Sequence, residues 1–138
     1  MSEYTFHYFD FYTRGEACRM LLAHAGADWA DNRINMEQWG ALKSRLPNGK
    51  CPALEWDGKM IGQSMSILRF LGNKLGYYPI DAWEAYRVDT LLDSYSDVIS
   101  KIYKPHFASE ADRPALIEGI KTSMTKFMTE IDSHCAKG

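Results

Sequence analysis

The spacing of apolar residues changes character several times along the chain. From Tyr4 to Phe9 they alternate, with Tyr4, Phe6 and Tyr8 on one face, which predicts a strand. From Glu16 to His24 the period becomes helical: Cys18, Leu21, Leu22 and Ala25 recur on one side, and Gly26 follows as a stop signal. Asp28 to Ile34 reads as a second strand, and Glu37 to Arg45 as a short helix carrying Trp39, Leu42 and Lys43. Two short strands, Ala53–Trp56 and Lys59–Gly62, flank the hairpin signal Asp57-Gly58. Ser64 is then expected to cap a helix with Ile67, Leu68, Leu71 and Leu75 on its apolar side and Gly76 at its end.

Residues 1–77 therefore read β-α-β-α-β-β-α, an α/β domain with the element order of a thioredoxin-like fold. The segment 76–80 is a linker, and residues 82–138 are expected to be an all-α region of two long helices. Asp81 and Glu84 have the spacing of a capping box. Val88, Leu91, Leu92, Tyr95, Val98, Ile99 and Ile102 extend the first stripe to about Lys104. Pro105 and the polar run 109–113 interrupt it. The last helix holds Pro114 in its first turn and carries Ile117, Ile120, Met124, Phe127, Met128 and Ile131 on one side.

Composition narrows the chemistry. A net charge of −2 in 138 residues gives no electrostatic reason to expect a nucleic acid or an anionic membrane as partner. No apolar run approaches a membrane span, and the N-terminus does not read as a signal peptide, so a cytoplasmic protein is expected. Cys18, Cys51 and Cys135 are scattered, without a Cys-x-x-Cys pair, and read as reduced thiols. The four histidines lack metal-ligand spacing, so no metal is expected.

Candidate chemistry concentrates around Lys50-Cys51-Pro52. Proline cannot donate to a ladder, so Pro52 opens a strand, lies on an edge or follows a cis bond. Each arrangement leaves the Cys51 main chain facing outward, where an extended peptide could pair with it. Gln63-Ser64 adds an amide, a hydroxyl and helix-start N–H groups, which suit a carboxylate. A plain hairpin followed by a capped helix accounts for the same residues. Trp39 and Lys43 share a helix face and are both donors. Tyr8 closes the first strand, and Arg14 sits in the loop after it. Asp89, Asp93 and Asp97 repeat at four-residue spacing, as a solvated face or with one member holding an amine. Two carboxylate sites, one amine site and a backbone-pairing edge match glutathione.

The chain resembles the cytosolic glutathione transferases, most closely the sigma-like class that includes prostaglandin D synthases. The likeness is carried by residues 4–9, by Arg14-Gly15-Glu16-Ala17-Cys18-Arg19, by Trp39 with Leu42-Lys43, by residues 50–54 and 63–67, and by Tyr86-Arg87-Val88-Asp89. The resemblance implies a detoxifying transferase with glutathione as co-substrate and a small hydrophobic electrophile as second substrate. It implies that Tyr8 hydrogen-bonds the glutathione sulfur and Arg14 supports the thiolate. Trp39, Lys43 and Lys50 would hold the glycine end, the Cys51 main chain the cysteinyl unit beside a cis Pro52, and Gln63 and Ser64 the γ-glutamyl carboxylate. Asp97, reaching across a dimer, would take the amino group. Phe11, Tyr12, Tyr103 and Phe107 would face the electrophile. Cys51 could be mistaken for a redox nucleophile, but no resolving cysteine is near it in sequence. The helical domain of such enzymes is longer than residues 82–138. A shortened form burying its helix stripes by association or helix exchange is one reading, and a piece of a longer chain the other. A non-catalytic glutathione-binding or structural protein of the same fold is the alternative function, and a dithiol oxidoreductase is opposed by the absent Cys-x-x-Cys.

Overall fold

The structure is a computed structural model that describes residues 2–136. The chain divides after Pro79 into two compact units. The first contains β1 (Tyr4–Phe9), α1 (Glu16–His24), β2 (Trp29–Ile34), α2 (Met36–Lys43), a 3-10 turn at Pro47–Gly49, β3 (Ala53–Trp56), β4 (Lys59–Gly62) and α3 (Ser64–Leu75). The expected β-α-β-α-β-β-α order is present, with the 3-10 turn added before β3.

The four strands form one mixed sheet in the order β2-β1-β3-β4. β1 and β2 run parallel, with Tyr4 opposite Trp29 and Phe9 opposite Ile34. β3 is antiparallel to both β1 and β4, so Phe6, Leu54 and Ile61 lie in one row across the sheet. Phe6 and Leu54 on that row, Cys18 and Leu22 on α1, and Ile67 and Leu71 on α3 are fully buried. These are the residues whose period predicted the elements, and their burial is the main drive for the unit to fold. The hairpin between β3 and β4 turns through Asp57 and Gly58, both at positive φ (49° and 68°), as the Asp-Gly signal requires. Gly76 ends α3 in the left-handed region at φ 81°.

Two local differences have clear causes. α2 begins one residue earlier than expected, because Asn35 and Gln38 form a reciprocal capping box. α3 is not capped by Ser64: Gln63 occupies the cap, its carbonyl accepting from Ile67 N–H at 2.9 Å, and Ser64 is the first helical residue. Gln63 has φ 72°, a conformation that L side chains rarely adopt.

The second unit contains α4 (Ala82–Ile102), α5 (Lys104–Phe107) and α6 (Arg113–Cys135). Asp81 caps α4 by accepting from the Trp83 and Glu84 amides, both at 3.0 Å, while the Glu84 carboxylate turns to Arg87. The single turn of α5 fills the expected interruption, with Pro105 in its first turn. α4 and α6 pack antiparallel, through Tyr95 on Phe127, Ser94 to Glu130, and Lys101 to Ser123. On α6, Ile117, Met124 and Met128 stay exposed. No helix among the described residues is long and apolar enough to cross a membrane.

His7 is buried on the opposite side of β1 from Phe6. Asn32 Nδ2 donates to its Nδ1 at 2.7 Å, which leaves the proton on Nε2. Nε2 has no hydrogen-bond partner among the described residues; the Glu55 carboxylate stands 3.6 Å away. Burial pushes the His7 pKa below its ordinary value near 6.5, and Glu55 opposes that in part. The folded state therefore binds fewer protons at His7 than the unfolded chain does. This contribution to stability is complete above pH 6.5 and declines as pH falls below that value. Urea midpoints measured between pH 7.5 and about 5 should decline with acid, and His7→Gln should flatten that part of the slope. An unchanged slope in the variant would remove His7 as the cause.

Candidate functional site

One cleft of about 310 Å3 in the first unit is lined by Arg14, Pro47, Lys50, Cys51, Pro52, Gln63 and Ser64. Its walls come from separate pieces of chain: the loop after β1, the 3-10 turn, the start of β3, and the junction of β4 with α3. Each piece is held there by a local cause. A β-carbon at Gly62 would lie 2.9 Å from Pro47 Cβ, so the end of β4 and the 3-10 turn approach as closely as they do only with glycine there. The Cys51–Pro52 peptide is cis, as expected. Cys18 Sγ donates to the Ser64 carbonyl at 3.8 Å and ties α1 to the start of α3. That thiol stays protonated, since burial pushes its pKa up to about 12 against the opposing charge of Arg19.

The cleft is polar and electropositive. Arg14 and Lys50 bring two cations, and the first amides of α3 open from the same place. Gln63 holds its positive φ at the mouth of that helix. Strained residues of this kind persist where the surrounding structure over-determines them, and they concentrate at ligand clamps. Cys51 is half-buried, and burial raises its pKa to about 11. At neutral pH it is a thiol, not a nucleophilic thiolate. Among the described residues, no group of three or more His, Cys, Asp and Glu side chains could hold a metal ion.

Six residues singled out from the sequence thus meet in one cleft: Arg14, Lys50, Cys51, Pro52, Gln63 and Ser64. Four others, Tyr8, Trp39, Lys43 and Asp97, stand outside its lining. Trp39, on α2, packs its ring on Phe9, with centroids 5.1 Å apart. Lys43, at the end of α2, lies where a β-carbon on Gly49 would touch its Cγ and Cε at 3.5 Å. Asp97 is exposed on α4 of the second unit.

Tyr8 is 3% exposed, at the end of β1. Its hydroxyl is 2.5 Å from Thr13 Oγ1, with either oxygen able to donate. Its ring is covered by Gly15, where an added β-carbon would lie 2.6 Å from Tyr8 Cγ. Phe11 packs beside it with centroids 5.4 Å apart. Thr13 was not legible as a partner: a hydroxyl five residues beyond Tyr8 was the only signal, and the loop between them has no period. Arg19 was read only as part of the Arg14–Arg19 motif, yet it is the buried guanidinium of this unit.

A family profile described as "Glutathione S-transferase, N-terminal domain" matches residues 4–73. The chain is similar to probable glutathione S-transferase 7 of Caenorhabditis elegans, 37% identical over 125 residues that cover 87% of this chain and 60% of the relative. It is similar to S-crystallin 4 of Enteroctopus dofleini, 40% identical over 100 residues, 72% of this chain and 46% of that one. The chain thus spans about half to three fifths of the length of these relatives. Among solved structures it resembles prostaglandin synthase D of Nilaparvata lugens, with a TM-score of 0.82 and 35% identity over 97% of this chain and 68% of that chain.

The Gly15–Tyr8 contact generates an expectation. Gly15→Ala should destabilise the chain by about 1–3 kcal/mol, as overpacking does in a filled core. The denaturant midpoint measures it, and a variant within 0.5 kcal/mol (roughly the scatter of neutral substitutions) would show that the ring and the start of α1 separate freely.

Proposed function

Since the chain belongs to the glutathione S-transferase family, we propose that its cleft binds glutathione and that Tyr8 steadies the glutathione thiolate for attack on small hydrophobic electrophiles. The observation that carries this reading is the convergence of Arg14, Lys50, Cys51, Pro52, Gln63 and Ser64 on one electropositive cleft at a helix start. Lys50, with Trp39 and Lys43, would hold the glycine carboxylate. The Cys51 main chain, ahead of the cis Pro52, would pair with the cysteinyl unit as a short added strand. Gln63 and Ser64 would take the γ-glutamyl carboxylate on the first amides of α3.

Thiolate supply is the chemical problem such a site answers. A free thiol with pKa near 8.5 is only a few per cent ionised at neutral pH, and each unit of depression corresponds to about 1.36 kcal/mol. A fall of roughly two units, from a phenol donor and the nearby Arg14 charge, makes thiolate the main form. With an aryl halide the C–S bond forms, the halide leaves with the bonding electrons, and the thiol proton passes to solvent. Orientation and charge stabilisation are then the protein's contribution. Phe11 and Tyr12, both exposed in the loop after β1, offer apolar surface for the electrophile. We further propose a cytoplasmic homodimer that covers the exposed stripe of α6 by association or by helix exchange, with Asp97 of one copy meeting the amino group bound by the other.

A second reading, a non-catalytic or structural protein of the same fold, is favoured by the likeness to S-crystallin 4. It is also favoured by the Tyr8 hydroxyl being engaged by Thr13.

Conjugation of a generic aryl halide, assayed with wild type and Tyr8→Phe, separates the two. Loss of one preorganised donor should lower kcat/KM by roughly a hundredfold. Equal rates would take Tyr8 out of the mechanism, and glutathione binding without any turnover would select the second reading. For the association, light scattering should give the mass of a dimer; a monodisperse monomer would remove both the dimer and the role given to Asp97.

A further inference from the structure

Arg19 is 4% exposed and projects from the middle of α1. A buried guanidinium needs both charge compensation and acceptors for its five donors. Two carboxylates supply the first: Asp31 on β2, 3.1 Å from Nε, and Glu16 one turn earlier on α1, 3.3 Å from one terminal nitrogen. The remaining partners are of another kind. One terminal nitrogen donates to the Phe9 carbonyl at 3.0 Å, and the other to the Phe11 carbonyl at 3.4 Å. Phe9 ends β1, and its carbonyl also accepts from the Phe11 N–H at 3.0 Å, while Phe11 lies in the irregular segment beyond the ladder. The same guanidinium lies 5.5 Å from the centroid of the Tyr8 ring and 5.8 Å from that of Phe6. One side chain therefore grips both the phenol ring and the turn that returns Thr13 to its hydroxyl.

We propose that Arg19 is a positioning residue for thiol activation: it fixes the Phe9–Thr13 turn against the Tyr8 ring, so that the phenol hydroxyl and Thr13 meet in one geometry. The proposal rests on the reading of Tyr8 given above. It assigns Arg19 no contact with glutathione, and it assigns Thr13 the task of orienting the phenol. A planar fork is needed, because two main-chain carbonyls and a carboxylate are held at separate angles. Lysine keeps the charge opposite Asp31 and Glu16 but presents its three donors from one point.

The test is the pH profile of kcat/KM for aryl-halide conjugation in wild type, Tyr8→Phe, Arg19→Lys, Thr13→Val and Asp31→Asn. Arg19→Lys should raise the apparent pKa of the profile and lower kcat roughly ten- to hundredfold, as small misplacements of a catalytic group do, with the KM for glutathione changed less than about twofold. Thr13→Val should shift the profile in the same direction. Asp31→Asn, which leaves the bonds to Phe9 and Phe11 in place, should cost thermal stability and leave the profile where it was. In the Tyr8→Phe background, Arg19→Lys should add nothing further. An Arg19→Lys profile that falls evenly at all pH values, or an Asp31→Asn profile that shifts as far, would overturn the proposal in favour of a structural ion pair. If Arg19→Lys does not fold, Thr13→Val decides: a shift supports the proposal and an unmoved profile ends it. Wild-type turnover indifferent to Tyr8→Phe would fell the underlying reading and this one with it. Turnover that depends on Tyr8 with an unmoved Arg19→Lys profile fells this one alone.

Discussion

No β-carbon stands between the start of α1 and the ring of Tyr8, and the loop that brings Arg14 to the cleft depends on that close approach. Because residue 15 is glycine, the first turn of α1 settles directly on the phenol at the end of β1. The loop from Asp10 to Arg14 must then close over a short span, which delivers Thr13 to the hydroxyl and sets Arg14 on the cleft wall. Four positions after Gly15, Arg19 reaches back to the end of β1 and donates to the carbonyls of Phe9 and Phe11. Close packing, a short loop and a buried cation are therefore one arrangement seen from three sides. A change at any of them reaches the phenol.

The far wall is built on a different constraint. Pro47 lies against Gly62, Cys18 holds the carbonyl of Ser64, and the peptide before Pro52 is cis. The first two contacts join residues far apart in sequence, so the cleft depends on the sheet and the α1–α3 layer being complete. Its electropositive character comes from few groups: two cations and one helix start. That economy suits a small anionic ligand whose own charges are spaced along its length.

Where residue type and period coincide, the fold was legible. The alternation of Tyr4, Phe6 and Tyr8, the stripe of Ile67, Leu68 and Leu71, and the Asp57-Gly58 turn each appear as the pattern implied. The capping box of Asn35 and Gln38 was present in the sequence, but its cap residue Asn35 lay just outside the helix expected there. The one-residue shift at the start of α3 could not be read, because nothing in the letters Gln-Ser reveals a positive φ. Six members of the cleft were accessible through proline, cation and helix-start chemistry together with the family likeness. Thr13 and Arg19 were not, because their roles arise from a non-periodic loop folding back on a strand. His7 escaped notice for a related reason: it alternates with the face of Tyr4, Phe6 and Tyr8, and nothing in the letters of the strand shows that its own face of β1 is covered as well.

Gln63 holds its backbone at φ 72° and ψ 111°, outside the left-handed helical well, where a side chain is carried at a cost. That cost is met by the elements on either side, since β4 ends and α3 begins within one residue of it. The main chain beneath this amide is thus set by the fold before any ligand arrives, and rigidity of that kind lets a polar group contribute orientation with little further loss of entropy on binding.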